Sequence, residues 1–412
     1  MRSPRDVLYM SIITSFFIYL LYSRWNVSTS IIQPDVPNKG PHGKHAFRQR
    51  LIAVGDLHGD ISNTKKVLQM TKLINAKSDW TGGQDILVQT GDIVDRGANA
   101  LDIYKLMSKL RSQSTDHGGK VISILGNHEF MNAIGDWRYV TEDDIRVFGG
   151  TKRRQEALAK DGWLGAEWLA NYSITASVPL SPFPRSPKLS FTHGSLRPSY
   201  EDLLPYPSKI NEIGKSLLEK ALTPPLAPPF PPYPYSGLPE GHTYEEAELY
   251  SEGGPLWWRG LAEREDENEV CQWADDLKNR LGVRRIIGGH TPNFEQIVSR
   301  CNGSIIIIDT GISSAYGGVL SAMEIIYTLT PLKDKNNNGH DRQEPFLIRS
   351  PASSDPDSAN VQIREKGDME GTEQEISTEK GLKGRYIERE EVHAIYERRS
   401  TLIAVEEREL ML

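Results

Sequence analysis

The chain has 412 residues, 48 of them Lys or Arg and 55 Asp or Glu, for a formal net charge of −7, which argues against a nucleic-acid binder built on a basic face. With 38% hydrophobic and 25% charged residues it has the composition of a folded body, neither a polytopic membrane protein nor a wholly disordered chain. Its two cysteines, Cys271 and Cys301, allow one disulfide and exclude a Cys-rich zinc or iron–sulfur site.

The N-terminus carries Arg2 and Arg5, then an uncharged run from Val7 to Tyr22, then Arg24 and Trp25. Sixteen helical residues rise about 24 Å, slightly short of a hydrocarbon core, with Arg and Trp placed to sit at the interfaces. Residues 1–30 are therefore read as a membrane signal. A signal anchor is favoured over a cleaved signal peptide, because no small-residue cleavage site follows directly. The basic residues in front favour an N-in orientation with the body in the secretory lumen, although Arg24 weakens the asymmetry. Asn26, Asn171 and Asn302 lie in glycosylation-type triplets, at a frequency that chance accounts for. Residues 31–49 read as a linker, rich in Pro and Gly from Gln33 to Pro41.

Residues 50–330 alternate short apolar runs with longer helical stretches, the pattern of an α/β layer architecture. The runs are Leu51 to Val54, Asp85 to Gln89, Lys120 to Leu125, Lys188 to Phe191, Arg285 to Ile287, Ser304 to Ile308 and Val319 to Thr328. Asp60 to Asn75 reads as a helix that Asp60 caps, and Ala98 to Ser112 as a second helix carrying Leu101, Tyr104, Leu106 and Leu110. The chain thus opens βαβαβ. Eight prolines between Pro224 and Pro239 exclude helix and central strand, so an insertion there is expected to hold a stiff, exposed, polyproline-like loop. Residues 331–412 are polar and charged, with 18 acidic against 13 basic side chains, and read as a disordered tail with a short helix from Tyr386 to Leu410.

The chemistry is concentrated at strand ends. Three strands run into Gly55-Asp-Leu-His-Gly59, Gly91-Asp-Ile-Val-Asp-Arg-Gly97 and Gly126-Asn-His-Glu129; two more end in Phe191-Thr-His-Gly194 and Ile287-Gly-Gly-His-Thr-Pro292. Ligands bind at the carboxyl ends of strands in an α/β sheet, where glycine lets the backbone turn sharply and approach closely. Together the clusters bring Asp56, His58, Asp92, Asn127, His193 and His290 to one crevice. Mixed oxygen and imidazole ligands without a thiolate suit a pair of divalent ions such as manganese, iron or zinc. One such cluster alone is more often a turn or a helix cap; five in order, each behind an apolar strand, reverse that reading.

These clusters resemble the signature of calcineurin-like metallophosphoesterases in their phosphoprotein phosphatase branch. The finer resemblance is to Shewanella-like phosphatases, through Met131 to Tyr139, Gly254 to Gly260 and Tyr316 to Ser321. It covers roughly residues 50 to 330. His193-Gly-Ser-Leu and Pro255-Leu-Trp-Trp-Arg259 depart from the ordinary Ser/Thr phosphatases, so their specificity does not carry over.

The resemblance implies a sandwich of two mixed β-sheets flanked by helices. It implies one metal held by Asp56, His58 and Asp92, and a second held by Asp92, Asn127, His193 and His290, with Asp92 as bridge and manganese as the leading ion. Two such ions share a water and aim it in line at phosphorus. His128 is implied as general acid with Asp95 orienting it, and Arg96, Arg259 and Tyr316 as substrate contacts; Glu129 is expected to support the loop. A phosphoprotein, preferably phosphotyrosine-bearing, is the implied substrate. The alternatives are a symmetrical dinucleoside-polyphosphate hydrolase, which shares the three opening clusters, and an inactive membrane-anchored binding module.

Overall fold

The computed structural model describes residues 45–223, 237–332 and 382–412. The apolar N-terminal segment, the linker up to residue 44, most of the proline-rich loop and residues 333–381 of the tail lie outside the described residues. Among these described residues no helix is long and apolar enough to cross a membrane.

The strands, in chain order, are β1 (Phe47–Val54), β2 (Ile86–Gln89), β3 (Lys120–Ile124), β4 (Tyr172–Ser173), β5 (Thr175–Pro179), β6 (Lys188–Thr192), β7 (Arg285–Gly288), β8 (Val298–Arg300), β9 (Ile305–Ile307), β10 (Ser321–Pro331), β11 (Arg385–Tyr396) and β12 (Ser400–Met411). They form a seven-stranded sheet in the order β12-β11-β10-β1-β2-β3-β4 and a five-stranded sheet in the order β5-β6-β7-β9-β8. Both sheets are mixed. In the larger, β1 to β4 run parallel and β10 to β12 add antiparallel strands; in the smaller, β6, β7 and β9 are parallel between antiparallel β5 and β8.

The sandwich follows from which residues each strand buries. Leu51 and Ala53 of β1 enter the layer between the sheets with Phe191, Ile287, Ile306 and Ile325. Ile52 and Val54, of opposite parity, enter the helix-facing layer with Val67, Ile103 and Leu110. A strand buried on both faces reads as an unbroken apolar run, which is why these strands are visible in the sequence. Helix Ile61–Met70 is capped by Asp60, whose Oδ1 accepts from the Asn63 backbone N at 2.9 Å, as expected. The second expected helix runs Ala100–Asp116 and buries Ile103, Tyr104, Met107 and Leu110. Cys271 and Cys301 pair, tying helix Glu267–Leu281 to the turn after β8. Closing a loop of this length is worth about 3–4 kcal/mol in a chain-entropy account.

The tail departs from its expectation. Residues 385–411 form neither a helix nor a disordered segment but the hairpin β11–β12, and β11 pairs with β10 in register from Ser321↔Tyr396 to Pro331↔Tyr386. The folded body therefore extends well past residue 330. The reason lies in what faces inward: alternate residues of β11 are buried, and Glu388 and Glu390 are two of them. Arg284 reaches both, Nη2 to Glu388 Oε1 at 3.0 Å and Nη1 to Glu390 Oε2 at 2.7 Å, while Arg285 Nε meets Glu390 Oε1 at 2.6 Å. Charge at buried positions hides a two-residue period from any reading based on hydrophobicity.

Candidate metal centre

Each of the five clusters sits at the carboxyl end of a strand, and the two sheets bring those ends to one crevice. β1 leads to Asp56 and His58, β2 to Asp92, β3 to Asn127 and His128, β6 to His193 and β7 to His290; all seven are buried. The loops need unusual backbone. His58 (φ 40°), Asp92 (φ 55°), Asp95 (φ 71°), Arg96 (φ 63°) and His290 (φ 64°) all occupy the left-handed region, strain of a kind that concentrates at functional sites. The flanking glycines are steric requirements. A Cβ on Gly126 would lie 2.1 Å from Asp92 Oδ1, and one on Gly289 would lie 2.5 Å from Asp56 Oδ1.

Asp92 is the hub. Its Oδ2 lies 3.3 Å from His193 Nε2, 3.7 Å from His58 Nε2 and 3.8 Å from His128 Nε2. Two groups of donor atoms share it, His58–Asp92–His128 and Asp92–His193–His290, each with its atoms within 4.8 Å of one another. Asn127 Oδ1 joins the second group, 2.8 Å from His193 Nε2. Asp56 lies on the same side, its Oδ1 accepting from the His290 backbone N at 3.3 Å.

The outward nitrogens are already committed. His58 Nδ1 meets Val94 O at 3.0 Å, His193 Nδ1 meets Thr90 O at 2.8 Å, and His290 Nε2 meets Trp257 O at 3.1 Å. Such bonds fix the tautomer and leave the opposite nitrogen free for a metal. Glu129 supports the loop, as expected. Its Oε2 accepts from the Gly126 and Asp92 backbone N at 2.7 and 2.9 Å, and its Oε1 from the Ile93 backbone N at 2.8 Å and the Tyr104 hydroxyl at 2.9 Å.

The electrostatics agree with a cation site. Burial alone would raise the Asp92 carboxyl, but His193 and His128 hold it well below the usual carboxylate range. Burial also opposes protonation of His193, yet Asp92 and then Asp56 push it up to about 10. Burial, with repulsion from His128, pushes His58 down to about 4 against the pull of Asp92; burial, His193 and Arg259 push His290 far down. A surplus of buried carboxylate and imidazole around one shared oxygen, without thiolate, fits two divalent ions.

With the site's geometry established, the relatives decide the family. The chain matches the calcineurin-like phosphoesterases over residues 49–294. It belongs to that family. An uncharacterised protein of Schizosaccharomyces pombe is 35% identical over 281 residues, 67% of this chain and 76% of that protein. Shewanella-like protein phosphatase 2 of Arabidopsis thaliana is 27% identical over 344 residues, 71% of this chain and 81% of that one. A solved cold-active protein-tyrosine phosphatase of a psychrophilic Shewanella species superposes with a TM-score of 0.52 at 21% identity, covering 69% of this chain and 78% of that one, and so shares the fold.

The other residues expected in the phosphoesterase site also converge on it. His128 Nδ1 meets Asp95 Oδ2 at 2.5 Å; burial would depress this imidazole, but the Asp92 charge and the Asp95 bond outweigh it and hold it above its ordinary value. The Arg96 guanidinium lies between the rings of Tyr139 and Tyr316, 4.4 and 4.8 Å from their centroids, and its buried Nε has no hydrogen-bond partner among the described residues. Tyr316 stands over His58 with ring centroids 5.2 Å apart. Arg259 Nη1 donates to His290 O and, at 3.2 Å, to Thr291 Oγ1, so it braces the His290 loop at the edge of the crevice. Trp258 packs on Trp273 while Trp257 lies 5.7 Å from His290.

Two contributors escaped the sequence reading. Asp309 is buried beside Asp56 just after β9, and burial pushes it up to about 6. Ile308-Asp-Thr-Gly311 repeats the apolar-strand-then-polar-Gly pattern of the other clusters, so the signal was there. Tyr139, the second ring beside Arg96, ends the Met131 to Tyr139 stretch quoted for the resemblance, but only the tertiary fold brings it to Arg96.

Proposed function

We propose that the chain is a metal-dependent phosphomonoesterase acting on phosphoproteins, with phosphotyrosine as its preferred substrate. The observation that carries the reading is the buried Asp92 carboxylate, whose Oδ2 is approached by His58 and His193 and also by His128, which Asp95 braces from behind. The names of the relatives support the protein substrate, and that of the Shewanella enzyme supports tyrosine. Divalent ions bound at Asp92, manganese first among them, would neutralise phosphate oxygens and lower the pKa of an attacking water.

The remaining work falls to side chains. Asp56 and His58 with Asp92 would hold one ion, and Asn127, His193 and His290 with Asp92 would hold the other. Asp95 Oδ2 accepts the hydrogen bond from His128 Nδ1–H, which turns Nε2 toward the crevice, where the protonated imidazolium would give its proton to the leaving oxygen. Arg96, stacked between two rings, presents a fixed guanidinium edge to the phosphate, and Arg259 borders the same space.

The test is turnover of a phosphotyrosine peptide, its phosphoserine counterpart and a diadenosine polyphosphate by the manganese-supplied protein, with Asp92→Asn beside it. Tyrosine dephosphorylation that the variant lacks supports the reading. A better rate on the dinucleotide replaces it with the symmetrical dinucleoside-polyphosphate hydrolase, and no bound metal replaces it with a binding module.

We also infer that the enzyme is anchored in the secretory pathway through Val7 to Tyr22 with its body in the lumen. The Cys271–Cys301 pair supports this, since disulfides persist in oxidising compartments. Protease protection of the tagged body in intact microsomes tests it; a body digested without detergent refutes it.

A further inference from the structure

Behind His128 a chain of buried polar side chains leads away from the crevice. His128 Nδ1 meets Asp95 Oδ2 at 2.5 Å, and Asp95 Oδ1 accepts from Asn132 Nδ2 at 2.9 Å. Asn132 Oδ1 accepts from Arg154 Nη2 at 2.6 Å, and Arg154 Nε donates to Asp144 Oδ2 at 2.8 Å. Asp95, Asn132, Arg154 and Asp144 are each no more than 2% exposed. Arg154 is further clamped against the rings of Trp137 and Phe148, 4.3 and 5.3 Å from their centroids. These residues come from separate elements: the loop after β2, helix Asn127–Ala133, helix Glu142–Phe148 and helix Thr151–Leu158.

We propose that Asn132 and Arg154 are positioning residues that fix the orientation of Asp95 and, through it, of the general acid His128. This rests on the phosphomonoesterase reading above.

The chemistry of the donors makes the chain directional. A guanidinium only donates and remains charged at every accessible pH, so the Asn132 atom facing Arg154 must be its oxygen. The Asn132 amide nitrogen is thereby turned toward Asp95, where it donates to Oδ1, and it also donates to His128 O at 2.8 Å. Asp95 is left with Oδ2 alone for the imidazole, so Nδ1–H points at Asp95 and Nε2, the nitrogen that carries the second proton of the imidazolium, points into the crevice. Asp144 balances the Arg154 charge, so the chain introduces no net charge behind the acid. A salt bridge serving packing alone would not need an amide interposed between it and the Asp95–His128 pair.

A group acting through the general acid matters most when the leaving group is poor. A 4-nitrophenolate departs without a proton, whereas an unsubstituted phenolate needs one; the two esters share shape and reaction. The full chain, manganese-loaded, is therefore assayed on 4-nitrophenyl phosphate and phenyl phosphate as wild type, Asn132→Asp and Arg154→Met.

Asn132→Asp keeps size and the acceptor for Arg154 but sets an acceptor against Asp95. The expected result is a fall in kcat/KM on phenyl phosphate about tenfold larger than on 4-nitrophenyl phosphate, part of the 10²–10⁴-fold typical of a general acid. Arg154→Met is expected to show the same split. Equal losses on both esters, or none, in the Asn132 variant overturn the proposal while leaving the phosphomonoesterase reading intact. A wild-type protein inactive on both esters overturns both. Asn132→Asp decides alone if the Arg154 variant fails to fold.

Discussion

Glu390 in β11 and Arg285 at the start of β7 form a buried ion pair, with side chains 0% and 4% exposed and Nε–Oε1 at 2.6 Å. It joins the C-terminal hairpin of one sheet to a central strand of the other, and β7 carries His290 just beyond its end. Removing one partner of a buried pair leaves an uncompensated charge and costs about 3–5 kcal/mol. Glu390→Ala is therefore expected to lower the urea midpoint clearly, and a chain ending at residue 331 is expected to fail to fold. A truncated chain with a wild-type midpoint would mean that the hairpin is dispensable.

Asp92→Asn keeps the side-chain shape and removes the charge that both donor groups share. Metal content is expected to fall below one ion per chain, and turnover by more than the roughly 10–100-fold that loss of an outer-shell partner brings. Circular dichroism is expected to stay as in the wild type. Full metal content in the variant would remove Asp92 from its bridging role.

Metal uptake is expected to be proton-linked. In the metal-free protein, burial disfavours the His193 imidazolium, but Asp92 and Asp56 hold it protonated up to about 10, and a metal ligand must be neutral. Apparent affinity should therefore rise about tenfold per pH unit from pH 7 to 9, with release of about one proton. Calorimetry in buffers of differing ionisation enthalpy measures it, and pH-independent binding contradicts it. The stability of the metal-free fold has the opposite sign. The His193 contribution is fully present below its ordinary value of 6.5 and is lost as pH rises toward about 10. His58, pushed down to about 4 by burial, favours the fold above 6.5, and that support fades as pH falls toward 4.

Arg96→Lys retains the charge but loses the planar fork and the stacking between Tyr139 and Tyr316. KM is expected to rise about tenfold, since each cation–π contact contributes on the order of 0.5–1 kcal/mol and the bidentate grip is also lost. Steady-state kinetics on the phosphotyrosine peptide reads it; an unchanged KM would place Arg96 in loop support.

The candidate metal site was legible because each part writes itself locally. An apolar run fixes a strand, a glycine permits the turn, and the Asp or His between them has nowhere to go but the strand end. Asp56, His58, Asp92, Asn127, His193 and His290 could all be picked out on that basis, and the structure brings them together. Tyr139 and Arg154 could not, because their partners lie at sequence distances that only packing closes. β11 was hidden for a different reason. Its inward positions include Glu388 and Glu390, whose burial makes sense only once Arg284 and Arg285 are known to stand opposite.

The left-handed backbone at His58, Asp92, Asp95 and His290 has an evolutionary consequence. Asparagine adopts that conformation with unusual ease, whereas branched residues resist it. The substitution expected to abolish a metal bridge at Asp92, or the brace at Asp95, is thus also the one the loop accommodates with least distortion, and it needs a single base change. A lineage can drift from catalyst to binding scaffold without disturbing its architecture, so descendants of this fold have to be sorted by the identity of a few carboxylates, not by superposition.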